Sequence, residues 1–436
     1  MKYTTKIFFI MVLVMFTEIG SSQTIDSLYE VGTWQGFKQG AVSFTFDDNL
    51  ANQLSVVKPM FDQYGFKMTF FTVVNWGPNW TALQAAASNG HEIASHTDSH
   101  SSFGTLTNDQ QISELKNSQD AINSHIQGQK CLTIAYPNCV EGNAAICSQY
   151  YIAARGCSGQ IVPKTPPDFM NISSFVCGSQ GSIQRSGDFE NKMNAAASSG
   201  GWIVFLIHAI DNESGYSPTK SSEINVALDY LNQNRDKLWE ATFGNVVQYI
   251  KERNNVSIKQ VSEEDSLITF NVTDTLNNSI YNYPLTIRRI VPQGWTSVKI
   301  FQNGKMINSQ IVTVNSKNYI MFDVVPDSGV IQMTKESATG VTKNLKSEIM
   351  SPRLMQNYPN PFNPSTMINY QLPKNSFVTL RVYDVLGNKV AELVNGHKDA
   401  GLYQVIFDGS KFASGIYSYR LQVGENEVTK KMTLVK

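Results

Sequence analysis

Ala41-Val-Ser-Phe-Thr-Phe-Asp-Asp48 is the stretch whose reading decides the fold. Ala41 to Phe46 is short, apolar and bounded, the pattern of a buried strand, and it ends in two adjacent carboxylates. Neighbouring residues at a strand end point in different directions, so one carboxylate is free to hold a metal while the other faces a reacting water. Downstream, His96-Thr-Asp-Ser-His100 places two imidazoles at i and i+4, on one face if the segment makes a helical turn. Trp202-Ile-Val-Phe-Leu-Ile207 is a second buried-strand run, and it ends in His208.

Strand candidates 41–46, 68–74, 92–95, 131–136 and 202–207 alternate with helix-like segments from Ala41 to about Asn254. Trp80 to Ser88 reads as a helix stopped by Asn89-Gly90, and Thr107-x-x-Gln110 is a capping-box signature opening another. Such alternation predicts a parallel α/β architecture, barrel or doubly wound. Asp47-Asp48, His96/His100, Tyr136-Pro137 and His208 each follow a strand directly, and carboxyl ends of parallel strands are where active sites sit in these folds.

The chain has 436 residues, 42% of them hydrophobic, which sets an expectation of two to four folded domains. A formal net charge of −1 leaves no polybasic footprint for nucleic acid or an anionic membrane. Residues 1–22 read as a signal peptide, with Lys2 and Lys6 before an apolar core Ile7 to Phe16 and small residues Gly20-Ser-Ser22. Beyond Asn254 the pattern changes to short alternating runs separated by turn residues, so 255–335 is expected to be a β-sandwich accessory domain. Residues 337–352 read as a linker, and 354–436 is again β-patterned. All five cysteines, at 131, 139, 147, 157 and 177, fall within a 47-residue window, and spacing alone does not pair them.

Each polar cluster also has a plainer reading. Asp47-Asp48 fits a pair of turn or N-cap carboxylates, His96/His100 a surface coincidence, and His208 a histidine at the core edge. His91 reads as structural, and His125 and His397 as solvent-facing. Trp76 and Trp80, flanking Gly77-Pro78, suit either sugar stacking or lid packing.

Together, Thr45-Phe-Asp-Asp48, Gly90-His-Glu-Ile-Ala-Ser-His96-Thr-Asp-Ser-His100 and Leu206-Ile-His208 resemble the first, second and fifth motifs of the polysaccharide deacetylases (the NodB homology domain, carbohydrate esterase family 4). Leu238 to Arg253 is similar to that domain's closing helix. The resemblance covers about 35–253 and implies a distorted (β/α) barrel, so the expected fold class is α/β for that part, with the β-patterned 255–335 and 354–436 following as two all-β, sandwich-like domains. It implies Asp48, His96 and His100 as ligands of a divalent metal, with zinc the expected ion, Asp47 as general base and His208 as general acid. Ala135-Tyr-Pro-Asn-Cys139 departs from the family's Arg-Pro-Pro-Tyr-Gly, so the arginine that orients the base is absent at Ala135. Tyr136, Pro137 and Asn138 are the expected substrate and oxyanion contacts, the last through its backbone N–H. Arg155, in Ala153-Ala-Arg-Gly156, is the candidate to supply the missing guanidinium to Asp47. Asn49 stands where the family has glycine, and no fourth motif is evident.

Asn357-Tyr-Pro-Asn-Pro-Phe-Asn-Pro364, Val382-Tyr-Asp-Val-Leu-Gly387, Ala413-Ser-Gly-Ile-Tyr417 and Lys430-Lys-Met432 resemble the type A sorting domain of type IX secretion. That implies the secretion machinery as a partner and a secreted or surface-attached product, exported through the periplasm. The expected activity is removal of N-acetyl groups from an acetylated polysaccharide such as chitin-like chains, peptidoglycan or poly-N-acetylglucosamine. An O-acetyl xylan esterase and a non-catalytic surface carbohydrate-binding protein are the competing expectations.

Overall fold

The computed structural model describes residues 24–336, 352–357, 360–399 and 401–435. The leader expected at 1–22 and all of the expected linker except Pro352 lie outside them. The chain divides at Ser337 into two compact units.

The first unit is built on strands β1 (Tyr29–Val31), β2 (Gly40–Asp47), β3 (Met68–Thr72), β4 (Glu92–Ser95), β5 (Thr133–Ala135), β6 (Ala153–Arg155), β7 (Phe175–Val176), β8 (Trp202–Ile207) and β9 (Leu238–Glu240). Helices α1 (Lys58–Tyr64), α2 (Trp80–Ser88), α3 (Asn108–His125), α4 (Ala144–Cys147), α5 (Ser186–Ser199), α6 (Ser221–Gln233) and α7 (Phe243–Asn255) alternate with them. Strands pair in parallel in the order β6-β5-β4-β3-β2-β8-β7, and β9 pairs with the start of β2. The segment just before β7 also bridges β6, Arg155 against Ile172, so the sheet closes on itself. The expected distorted (β/α) barrel is what forms.

The period-2 alternation of β2 sorts its side chains into two layers. Phe44 and Phe46 pack outward with Phe61, Phe70 and Phe205 in the layer covered by helices. Ala41, Ser43, Thr45 and Asp47 take the other face, where Ser43 Oγ donates to Ala241 O (2.7 Å) and Thr45 Oγ1 to Phe205 O (2.8 Å). Small residues Ala94, Ala135 and Ala153 from neighbouring strands join that face, which Trp202 and Phe243 fill lower down. Asp47 is therefore delivered to the carboxyl-end mouth of the barrel by strand parity alone.

Local signals act as expected at α3, where Thr107 and Gln110 form a reciprocal capping box. Two expectations are corrected. Leu238 to Arg253 is not one helix: residues 238–240 are strand, and Thr242 caps a helix that starts at Phe243. His96 to His100 is not a helical turn but a loop leaving β4.

The remaining strands of this unit are β10 (Ser257–Glu263), β11 (Leu267–Thr273), β12 (Leu285–Ile290), β13 (Val298–Gln302), β14 (Lys305–Ile307), β15 (Ser309–Val314), β16 (Lys317–Val324) and β17 (Ile331–Lys335). They form two antiparallel sheets, β10-β11-β17-β13-β14 and β1-β12-β16-β15. β1 thus comes from ahead of the barrel in the chain. Helix α7 joins the layers: Glu252 Oε1 accepts from Tyr283 N–H (2.7 Å), and the Gln248 side chain donates to Ile280 O.

The second unit is all β. Strands β18 (Arg353–Leu354), β19 (Ser365–Leu372), β20 (Ser376–Tyr383), β21 (Lys389–Lys398), β22 (Gly401–Asp408), β23 (Gly415–Val423) and β24 (Asn426–Leu434) make sheets β18-β19-β22 and β21-β20-β23-β24. Ile368, Tyr370, Leu380, Val382, Tyr419 and Leu421 are its buried centre. Among the described residues, no helix is long and apolar enough to cross a membrane.

Candidate active site

Asp47, Asp48, His96, His100, Asn138, Arg155 and His208 line one cavity of about 470 Å³ at the carboxyl ends of the barrel strands. Asp47 ends β2, and the chain then turns through left-handed Asp48 (φ 75°) and Asn49 (φ 56°), which swings the second carboxylate away from the first. Asn49 does more than tolerate that conformation. Its Nδ2 donates to Val73 O (2.7 Å) while its Oδ1 accepts from Val73 N–H (3.1 Å), pinning the turn to the end of β3.

The two imidazoles converge through a loop with Thr97 (φ 68°) and His100 (φ 64°) in the left-handed region, where His100 N–H donates to Thr97 Oγ1 (3.0 Å). His96 Nδ1 bonds Ala135 O (2.9 Å), which requires the proton on Nδ1 and leaves Nε2 as a lone-pair donor. His96 Nε2 and His100 Nε2 each lie 3.6 Å from Asp48 Oδ1. That is close to the roughly 3.4 Å edge of a tetrahedron with ~2.0–2.1 Å bonds. Asp48 Oδ1 is buried and has no hydrogen-bond partner. Ligand atoms from Asp48, His96 and His100 all fall within 4.8 Å of one another, the one such cluster among the described residues. Two imidazole nitrogens and an orphaned carboxylate oxygen fit a divalent cation, and the donor types suit zinc among several.

Asp47 is 2% exposed and has two kinds of partner. The guanidinium of Arg155, itself 2% exposed, bonds Asp47 Oδ2 directly, and its Nη1 donates to Ser174 Oγ (3.3 Å). His96 Nε2 lies 3.5 Å and His208 Nε2 3.9 Å from the same oxygen. Burial opposes ionisation of Asp47, but Arg155, His96 and His208 outweigh it and hold the carboxyl below its usual range. Asp48 goes the other way: burial, then the Asp47 charge, push it up to about 7. Burial lowers His96 to about 4, against the pull of Asp47. His100 and His208 are lowered for the same first reason. Arg155 bonds Asp47 directly but reaches Asp48 only through space, too weakly to offset its burial and the Asp47 charge, and a cation at Asp48 Oδ1 would supply the missing counter-charge.

Of the three expected contacts, Tyr136 and Asn138 line the cavity and Pro137 does not. Tyr136 is buried with its ring edge-on to Phe103 (5.6 Å), packed largely in the helix-covered layer. Pro137 is buried and does not line the cavity, whereas Asn138, at φ 55°, does.

Three contributors, Gln53, the Cys139–Cys157 disulfide and Tyr216, are not among the candidates the sequence offers, whereas Trp76 is. Gln53 Nε2 donates to both Asp47 O (2.6 Å) and His208 O (3.0 Å), tying the ends of β2 and β8 together. Cys139 and Cys157 form a disulfide (Cα–Cα 5.7 Å) that joins the Asn138 turn to the chain just after Arg155, while Cys131, Cys147 and Cys177 are free and buried. Tyr216 packs edge-on against His208 (4.9 Å). Trp76, half-exposed, leans on His100 (4.9 Å). Trp80 instead stacks on His125 (4.2 Å), outside the cavity. His91 is structural, its Nδ1 accepting from Met68 N–H (2.9 Å).

Comparison with known proteins agrees with this picture at both ends of the chain. Residues 35–148 match the polysaccharide deacetylase family model, and residues 356–435 match the secretion system C-terminal sorting domain. A gellan lyase from Bacillus sp. is 31% identical over 333 residues, covering 71% of this chain but only 13% of that much longer protein. Among solved structures, a putative polysaccharide deacetylase from Mycobacterium smegmatis is similar at TM-score 0.40 and 17% identity, covering 56% of this chain and 99% of that one. A family 4 acetyl xylan esterase from Clostridium thermocellum is similar at TM-score 0.32 and 20% identity, covering 47% of this chain and 89% of its own. The motif resemblances are thus borne out by family: residues 35–148 carry a polysaccharide deacetylase match, and residues 356–435 a secretion sorting-domain match.

Proposed function

We propose that this chain is a secreted, divalent-metal-dependent hydrolase that removes N-acetyl groups from an acetylated polysaccharide. The observation that carries the reading is the orphaned Asp48 Oδ1, 3.6 Å from two imidazole nitrogens, beside a second carboxylate that has its own guanidinium. Asp48, His96 and His100 hold the ion; when bound, it polarises the acetyl carbonyl and acidifies water.

The protein's own groups do the rest. Asp47, kept anionic by Arg155, accepts the proton of the attacking water. Tyr136 N–H is committed to Arg155 O (3.1 Å), Cys139 N–H to Tyr136 O (3.2 Å), and Pro137 has none, so Asn138 N–H is the donor this turn offers to the developing oxyanion. The disulfide beside Asn138 restrains that donor. His208 Nε2, 3.9 Å from Asp47 Oδ2 and lining the same cavity, protonates the departing amine. An amide nitrogen leaves poorly without that proton, and His208 is placed to give it while Asp47 holds the one taken from water.

Acetate release from a panel of acetylated glycans tests the proposal, with Asp48→Ala as control. Release from N-acetylated chains, abolished in the control, is expected. Release from O-acetylated xylan alone would make the protein an esterase. Glycan binding without release from any substrate would make it a binding protein. The sorting-domain match supports export by the type IX machinery through the periplasm, and deletion of 354–436 should then trap the protein in cells.

A further inference from the structure

In the second unit, the hairpin between β20 and β21 turns through Asp384-Val-Leu-Gly-Asn388. Asp384 and Gly387 specify this turn on their own. Asp384 Oδ1 accepts from Leu386 N–H (2.9 Å) and Asn388 N–H (2.9 Å), and its Oδ2 accepts from Asn388 Nδ2 (3.0 Å). Gly387 N–H donates to Asp384 O (3.1 Å), Asp384 N–H to Asn388 O (3.0 Å), and Gly387 supplies the left-handed position at φ 82°. The side chains of Val385 and Leu386 take no part in that network and are 75% and 83% exposed, the two most exposed large apolar side chains among the described residues. Turn positions favour small polar residues, and a β-branched residue is a poor choice there. Folding therefore gives no reason for this pair. A turn whose backbone is already fixed, holding two apolar side chains out in water, is organised in advance to be covered, and covering it orders only those side chains.

We propose that the Val385-Leu386 tip is a docking knob for the secretion machinery, seating in a shallow apolar pocket of a machinery component. This rests on the sorting-domain reading of the second unit, and the tip lies inside the matched segment 356–435. The partner is a pocket of apolar chemistry rather than a charged surface, because the only ionisable group in the turn, Asp384, is consumed by the turn itself.

The test is export of the full chain from its own host, measured as the extracellular fraction on immunoblots. The comparison set is the wild type, Val385→Ser/Leu386→Ser, the conservative Val385→Ile/Leu386→Met, and the 354–436 deletion. The double serine variant is expected to melt with the wild type and to lose export at least about tenfold, which needs only about 1.4 kcal/mol of lost docking energy. The conservative pair should restore export. Wild-type export of the serine variant, with the deletion trapped, overturns the knob and leaves the sorting reading intact. Export of the deletion removes the sorting reading and the knob with it. A wild-type dimer that the serine variant converts to monomer in sedimentation reassigns the tip to self-association.

Discussion

Arg155 and Asp47 are both 2% exposed, so their pairing is a buried one and not a surface ion pair worth a few tenths of a kcal/mol. Replacing Arg155 with Met keeps the volume but leaves the Asp47 carboxylate in place. Its Oδ1 already lacks a partner, and its Oδ2 would keep only imidazole nitrogens at 3.5 and 3.9 Å. Leaving one charge of such a pair costs about 3–5 kcal/mol, and the thin remaining contacts place this case in the upper half of that range. Asp47→Asn is the mirror case, stranding a guanidinium with Ser174 Oγ as its remaining hydrogen-bond partner (3.3 Å). The double variant strands neither charge, so its cost should fall well short of the sum, with a coupling of at least about 2 kcal/mol. Urea titrations of the wild type, both singles and the double measure that coupling. Additivity to within about 0.5 kcal/mol would refute the pairing. Acetate release gives a second reading: Arg155→Met should lose turnover with little change in metal content, since Arg155 contacts Asp47 and not the ligand atoms.

Asn49→Gly keeps the left-handed turn and loses two bonds to Val73, whereas Asn49→Ala loses both and adds strain; the alanine variant should be the less stable by about 1 kcal/mol in the same titrations. Cys139→Ser/Cys157→Ser opens a link spanning 18 residues and should cost about 3 kcal/mol of stability, with a fall in turnover because the Asn138 turn is freed. Chelation should lower the melting temperature of the wild type but not of Asp48→Ala, because an ion that binds only the folded state stabilises it by mass action. Burial pushes the Glu240 carboxyl up to about 8, against a bond from Lys67 N–H (3.0 Å). Its folded value is raised, so its contribution is fully present below about 4.5 and is lost as pH rises toward 8. Glu240→Gln should therefore raise the melting temperature at pH 8 relative to wild type and give no gain at pH 4.5.

What the sequence disclosed, and what it hid, divides along one physical line. Asp47, Asp48, His96 and His208 sit at or next to strand ends, and a strand end is visible wherever an apolar run meets a polar residue. Period-2 parity then dictates which of two neighbours enters the barrel. The Thr107–Gln110 box was equally legible, since its donors and acceptors lie three residues apart. Arg155 carries no such local sign; it is legible only as a cation for a base whose usual arginine is missing at Ala135, and its guanidinium does bond Asp47. The pieces that escaped are contacts whose partners are distant in the chain and whose residues have no local pattern. Gln53 reaches a carbonyl 155 residues away, and Asn49 is joined to Val73 across a strand gap of 24. The His96–His100 loop shows the opposite failure, a local pattern that misleads. An i, i+4 pair converges on a helix, but here Thr97 and His100 achieve the convergence through left-handed backbone that no spacing rule reports. Such conformations cost of order 1–3 kcal/mol each and persist only where surrounding bonds enforce them. Among the left-handed non-glycine residues, Asp48, His100, Asn138 and Cys139 line the cavity and Asn49 and Thr97 adjoin its residues in the chain, while others, such as Asn303, Asn315 and Asp327, make turns between strands elsewhere. At the mouth of this barrel the left-handed positions turn the chain sharply after β2, β4 and β5, which is how side chains from separate strand ends meet in one cavity without a helix to align them.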